Sequence, residues 1–119
     1  MYFFDTYALW ELLRKNPNYE KYSNTTIICT IFNAYEFYAT LRREFSQRVA
    51  ENKLDILEDC TVKVSMKNIK DAVEMKKKFN KQNISFIDSL GYIKAKELGI
   101  KFLTGDKEFA TMDNVEYVK

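Results

Sequence analysis

Short apolar runs, each too brief for a helix, alternate along this chain with stretches of helical periodicity. Tyr2-Phe3-Phe4 ends abruptly at Asp5 and reads as a buried strand. Ala8, Leu9, Leu12 and Leu13 then share a helix face, which Asn16-Pro17-Asn18 stops. Thr25 to Cys29 is rich in β-branched residues and reads as a second strand. Helices follow from Ile31 or Asn33 to Phe45 and from Gln47 to Glu58, with Val49, Ala50, Leu54 and Leu57 apolar. Thr61-Val62-Lys63-Val64 reads as a third strand, and Asn68 to Phe79 as a surface helix with Ile69, Ala72, Val73 and Met75 inward. Its Lys76-Lys77-Lys78 run reads as a solvated face. A helix from Ser85 or Phe86 to Leu98, closed by Gly99, leads to strands at Lys101–Thr104 and Val115–Val118. Such alternation predicts an α/β fold: three layers, α/β/α, around a mainly parallel sheet of about five strands. At 119 residues, with no linker and few Gly or Pro, residues 1–119 read as a single domain.

Composition removes several kinds of chemistry. The chain has no histidine, so His-based triads and His general bases are unavailable. Cys29 and Cys60 are not spaced as metal ligands, which argues against a Cys/His zinc site and a disulfide framework. The 15% aromatic content is too high for a disordered segment. A net charge of +2 gives no global basic field, so nucleic-acid binding would need clustered basic residues. No apolar run approaches the ~18 residues of a membrane span, and no leader pattern opens the chain. A soluble, cytoplasmic protein is therefore expected, with no membrane association.

In a parallel sheet fed by crossover helices, strand-to-helix junctions collect at the strand carboxyl ends, where ligand sites form. Asp5 directly follows the first strand, and Asp106 follows Thr104 by two residues. Glu36 lies early in the helix after the second strand, and Asp88 opens the helix that leads to Lys101. Four crowded carboxylates require either raised pKa values or a hard cation such as Mg²⁺. That cation can polarise a phosphodiester and activate a water. Taken singly, each acid reads first as a cap or turn residue. Asn33 to Glu36 and Ser85 to Asp88 both approximate capping boxes, worth about 1 kcal/mol.

Phe3-Phe4-Asp5-Thr6, Asn33-Ala34-Tyr35-Glu36-Phe37 and, most specifically, the block from Asp88 through Ala95, Leu98-Gly99 and Thr104-Gly105-Asp106 to Phe109 resemble the motifs of PIN domains. The separation of Asp88 from Asp106 fits that pattern without a gap. The resemblance implies an Mg²⁺- or Mn²⁺-dependent endoribonuclease, in stand-alone form most often a VapC-like toxin of a toxin–antitoxin pair. Asp5, Glu36, Asp88 and Asp106 would hold metal and orient the attacking water. Thr104 would support the loop, and Glu108 stands where the family often has another acid. Gly91 and Tyr92 are less typical of the family at their places.

Arg43, seven residues after Glu36, and Lys107, beside Asp106, are candidates for contact with RNA phosphate; each also reads as ordinary surface charge. Tyr7, Trp10, Tyr35 and Tyr38 could stack bases, though core packing is the plainer reading. The aromatic excess of Trp10, Phe32, Tyr35, Phe37 and Tyr38 suits a homodimer contact or a groove for an antitoxin helix. Two other functions compete: a catalytically silent PIN-like interaction module in RNA processing, and a phosphatase of the Asp-x-Asp type. The second fails on its motif, because Tyr7 stands where the second Asp belongs.

Overall fold

A computed structural model describes residues 1–119. Four parallel strands form one sheet in the order β2-β1-β3-β4. They are β1 (Tyr2–Phe4), β2 (Ile27–Ile28), β3 (Lys101–Thr104) and β4 (Val115–Tyr117). The helices are α1 (Thr6–Leu13), α2 (Ile31–Glu44), α3 (Gln47–Leu54), α4 (Met66–Lys78) and α5 (Phe86–Leu98). β1 is central: Phe3 pairs with Ile28 on one side and Phe102 on the other. No helix is long and apolar enough to cross a membrane.

Period-two alternation divides the core into two. Phe4 and Leu103 face a cluster that includes Leu9 of α1, Phe37 and Leu41 of α2 and Ala50 of α3. Phe3 and Phe102 face the opposite cluster, with Met75 of α4 and Tyr92 and Ala95 of α5. The three-layer α/β/α arrangement follows directly. α5 lies close to the sheet because its middle residue there is Gly91. A Cβ at Gly91 would sit 2.7 Å from Phe3 Cε1 and 3.1 Å from Phe102 Cε1. Below it, Phe102 packs against Phe3, Tyr92 and Phe109 with ring centroids 4.9 to 5.9 Å apart. Gly91, atypical as a motif residue, is thus explained by packing.

The strand expected at Thr61–Val64 does not form. Thr61 makes one parallel bridge with Cys29, held by Cys29 N–H to the Cys60 carbonyl (3.0 Å) and Val62 N–H to the Cys29 carbonyl (2.8 Å). The ladder stops there because Thr30, the next residue of its partner, turns to cap α2. Lys63 and Val64 therefore have no extended neighbour, despite β-branched composition. The Gln47–Glu58 segment also divides, into α3 and a 3₁₀ turn at Asp55–Leu57 that buries Leu57. Val73 points outward, 45% exposed, while Ala72 and Met75 are buried.

Candidate active site

The site begins with the end of β1. Asp5 N–H donates to the Leu103 carbonyl at 3.2 Å, which carries the β1–β3 pairing one residue past the strand. The chain then enters α1, with Asp5 as its N-cap: Oδ1 accepts from Ala8 N–H at 2.7 Å. The other oxygen, Oδ2, accepts from the Thr104 hydroxyl. Thr104 Oγ1 in turn accepts from Asp106 N–H at 3.0 Å, so one buried threonine links two acids. Asp106 caps the next short turn by accepting from Glu108 N–H at 3.0 Å.

Gly105, between Thr104 and Asp106, allows the loop to pass against α1. A Cβ there would overlap the Tyr7 ring and lie 2.7 Å from the Val118 carbonyl. Only glycine fits beneath that ring.

α2 starts three residues earlier than a cap at Asn33 would require. Thr30 is the cap, and Asn33 closes the box from the N3 position, its Oδ1 accepting from Thr30 N–H at 2.9 Å. Glu36 therefore lies beyond reach of the cap and has no capping duty. Its Oε1 accepts instead from the Thr6 hydroxyl at 2.6 Å. At α5, Ser85 is the cap and accepts from Asp88 N–H at 3.1 Å, so Asp88 occupies N3.

Asp5, Glu36, Asp88 and Asp106 all line one cleft of about 670 Å³. Arg43, Lys107 and Lys119 line it as well, so acidic and basic side chains share the cleft. Arg43 Nη2 donates to Thr40 Oγ1 at 3.2 Å. Tyr35 borders the cleft and is 74% exposed. Tyr7 lines the cleft and also packs against the core, as Trp10 and Tyr38 do. Thr104 lies beneath the cleft, and Glu108 meets the acids through its backbone. Sequence reasoning named Thr6 and Asn33 only as motif or capping residues, gave neither a part in holding Glu36, and passed over Lys119. For Thr6 the available signal was its place directly after Asp5; for Asn33 it was the Thr30-x-x-Asn33 spacing.

The acids perturb one another. Burial chiefly raises the Asp5 pKa well above the ordinary carboxylate range, and the charges of Asp88 and Asp106 add to it; the Thr104 and Ala8 hydrogen bonds oppose it. Asp88 is pushed up to about 6, first by burial and then by Glu36 and Asp106, against the Ser85 hydroxyl. The folded, metal-free protein thus holds the Asp88 proton up to about pH 6, whereas an unfolded Asp loses it near pH 4. The stability tied to that proton is complete below about pH 4 and is lost as pH rises through about 6. Urea denaturation in EDTA should show Asp88→Asn escaping a loss on the order of 2 kcal/mol across that window. Parallel pH profiles for parent and variant would contradict the raised pKa.

No three of the carboxylates converge on one point as a ready-made metal cage. The donor set still suits a hard cation, because Mg²⁺ takes oxygen ligands, commonly only one or two carboxylates, and keeps several waters. It suits zinc poorly, since neither histidine nor thiolate is present in the cleft.

A family model described as the PIN domain matches residues 2–115. No curated protein matches the chain significantly. Among solved structures, a toxin–antitoxin complex from Klebsiella pneumoniae superposes with a TM-score of 0.79 at 13% identity, covering 98% of this chain and 96% of that one. Mycobacterium tuberculosis VapC20, a sarcin–ricin loop cleaving toxin, gives 0.78 at 18% identity, with complete coverage of both chains. VapBC2 from Rickettsia felis, bound to a DNA fragment from its promoter, gives 0.74 at 17% identity over 99% and 98%. At these identities the likeness is one of fold. The match across residues 2–115 carries the assignment further, and this chain belongs to the PIN domain family.

Proposed function

We propose that residues 1–119 form a single nuclease domain, a divalent-metal-dependent endoribonuclease that acts in the cytoplasm as the toxin of a toxin–antitoxin pair. The observation that carries this reading is the gathering of Asp5, Glu36, Asp88 and Asp106 in one cleft whose remaining charges are basic. Family membership and toxin structures of the same fold support it. Asp5, Glu36, Asp88 and Asp106 would hold Mg²⁺, with Mn²⁺ as a substitute. Bound there, the ion supplies Lewis-acid polarisation of a phosphodiester and an acidified water.

The chain's own groups do the rest. Thr104 fixes the Asp5 carboxylate and the Asp106 backbone together. Arg43 and Lys107 neutralise RNA phosphate at the sides of the cleft, and exposed Tyr35 offers a face to an unstacked base. Exposed Ile31 and Tyr35 leave apolar surface on α2 that suits an antitoxin helix or a second copy in a homodimer.

Purified protein should cut single-stranded or looped RNA in Mg²⁺ or Mn²⁺, and EDTA should abolish cutting. A hairpin with the sequence of the sarcin–ricin loop, the target named for VapC20, is a suitable first substrate beside unstructured RNA. Cutting that persists in EDTA would remove metal from the mechanism. If no RNA is cut and Mg²⁺ leaves the melting temperature unchanged, the silent interaction module takes its place.

A further inference from the structure

Glu36 is the one acid of the cleft with no part in a helix cap or a turn, yet its side chain is pinned. The pin is a chain of hydrogen bonds whose direction can be read from one fixed end. Thr30 N–H is an obligate donor, and it meets Asn33 Oδ1 at 2.9 Å. That contact orients the Asn33 amide, so its Nδ2 faces the Thr6 hydroxyl, at 3.3 Å. An amide NH₂ can only donate, so Thr6 Oγ1 accepts there and must direct its own hydrogen elsewhere. It directs it to Glu36 Oε1, at 2.6 Å.

Capping explains only part of this. The box at the start of α2 needs Asn33 Oδ1 and Thr30; it does not use Asn33 Nδ2, and Thr6 belongs to α1. Asn33 is fully buried, with its amide shared between the cap and Thr6. Thr6 is restricted at χ1 by β-branching, and its hydroxyl is set by the bonds to Asn33 and Glu36. A free Glu side chain would instead sample several rotamers across an open cleft.

We infer that Thr6, oriented by Asn33, is a positioning residue for Glu36. It engages Oε1 and leaves Oε2 without a protein partner. This rests on the nuclease reading above and deepens it: Glu36 presents its carboxylate to the site in a set orientation. Partners of this kind, which orient a group that acts on metal, typically change metal affinity or activity by about 10- to 100-fold when lost.

The test uses Thr6→Val, which keeps the shape and removes the hydroxyl, and Thr6→Ser, which keeps the hydroxyl. Mn²⁺ affinity is read by electron paramagnetic resonance on the protein without RNA, and kcat and KM on an RNA that the parent cuts. Thr6→Val should lose about 10-fold or more in Mn²⁺ affinity or kcat, with KM for RNA little changed, and Thr6→Ser should restore most of it. Thermal melting should leave both variants folded; should Thr6→Val fail to fold, Thr6→Ala takes the same measurements. Thr6→Val matching the parent on both readouts overturns the inference and leaves the nuclease reading standing. Thr6→Ser as impaired as Thr6→Val also overturns it, because the methyl group, not the hydroxyl, would then matter. A parent that neither binds Mn²⁺ nor cuts RNA overturns both.

Discussion

Asp5→Asn should abolish RNA cleavage while leaving the metal-free protein folded and at least as stable as the parent. Asparagine keeps the oxygen that accepts from Ala8 N–H, so the α1 cap survives; Asn and Asp are equivalent caps. What the change removes is a buried carboxylate whose charge is opposed by burial, by Asp88 and by Asp106, and favoured by the Thr104 hydroxyl, which must turn to accept from the new amide. Activity should fall by more than about 100-fold, the upper end for groups that merely orient a metal's ligands. The rise in melting temperature produced by Mg²⁺ should shrink with it, since a ligand stabilises the native state only through binding. Asp5→Ala is the informative contrast. It removes charge and cap together and should cost about 1 kcal/mol in EDTA that Asp5→Asn does not. Melting curves of both variants, in EDTA and in Mg²⁺, decide the matter. Lower stability of Asp5→Asn in both conditions, with the Mg²⁺ increment intact, would reduce Asp5 to a helix cap.

Gly91→Val should be the most destabilising small substitution on α5, at about 3 kcal/mol, the top of the usual range for over-packing. Two effects compete at this position. Helix propensity alone favours a side chain over glycine by up to about 1 kcal/mol. Contact opposes it, since even the first added carbon would stand 2.7 Å from the buried Phe3 ring. That ring is wedged between sheet and helix beside Phe102, with centroids 5.8 Å apart, and cannot withdraw. The contact should therefore win. Urea denaturation measures it, and a loss below about 0.5 kcal/mol would mean that α5 can lift from the sheet. Because Asp88 lies one turn before Gly91 on the same helix, such a lift should also impair cleavage.

Much of this was legible in the sequence where one local signal settled one element. β1, α5 and β3 are bounded by abrupt changes of residue type: Phe4 to Asp5, Leu98 to Gly99, Thr104 to Gly105. Three of the four cleft acids stand within two residues of such a boundary or inside a first helical turn. What escaped depends on partners distant in sequence. Thr61–Val64 has strand composition, but whether it pairs is decided by Thr30, which ends the neighbouring strand to cap α2. The same threonine displaced the expected cap from Asn33, since either residue could open the helix by type alone. Thr6 and Glu36 are 30 residues apart, and nothing local in either segment announces their bond. Lys119 reaches the cleft only because β4 runs parallel to β3 and delivers the chain to the same edge.

The sheet order carries a consequence for the timing of synthesis. β1 is made first, yet it lies in the middle, and its inner neighbour β3 follows almost a hundred residues later. Thr104, which locks Asp5, is 99 residues downstream of it. A ribosome making this chain therefore carries three of the sheet-edge acids, Asp5, Glu36 and Asp88, before the strand that aligns them exists. Such long-range parallel pairing also folds slowly. For the proposed nuclease, the consequence is that its first three acids are made before the strand and the threonine that bring the cleft together.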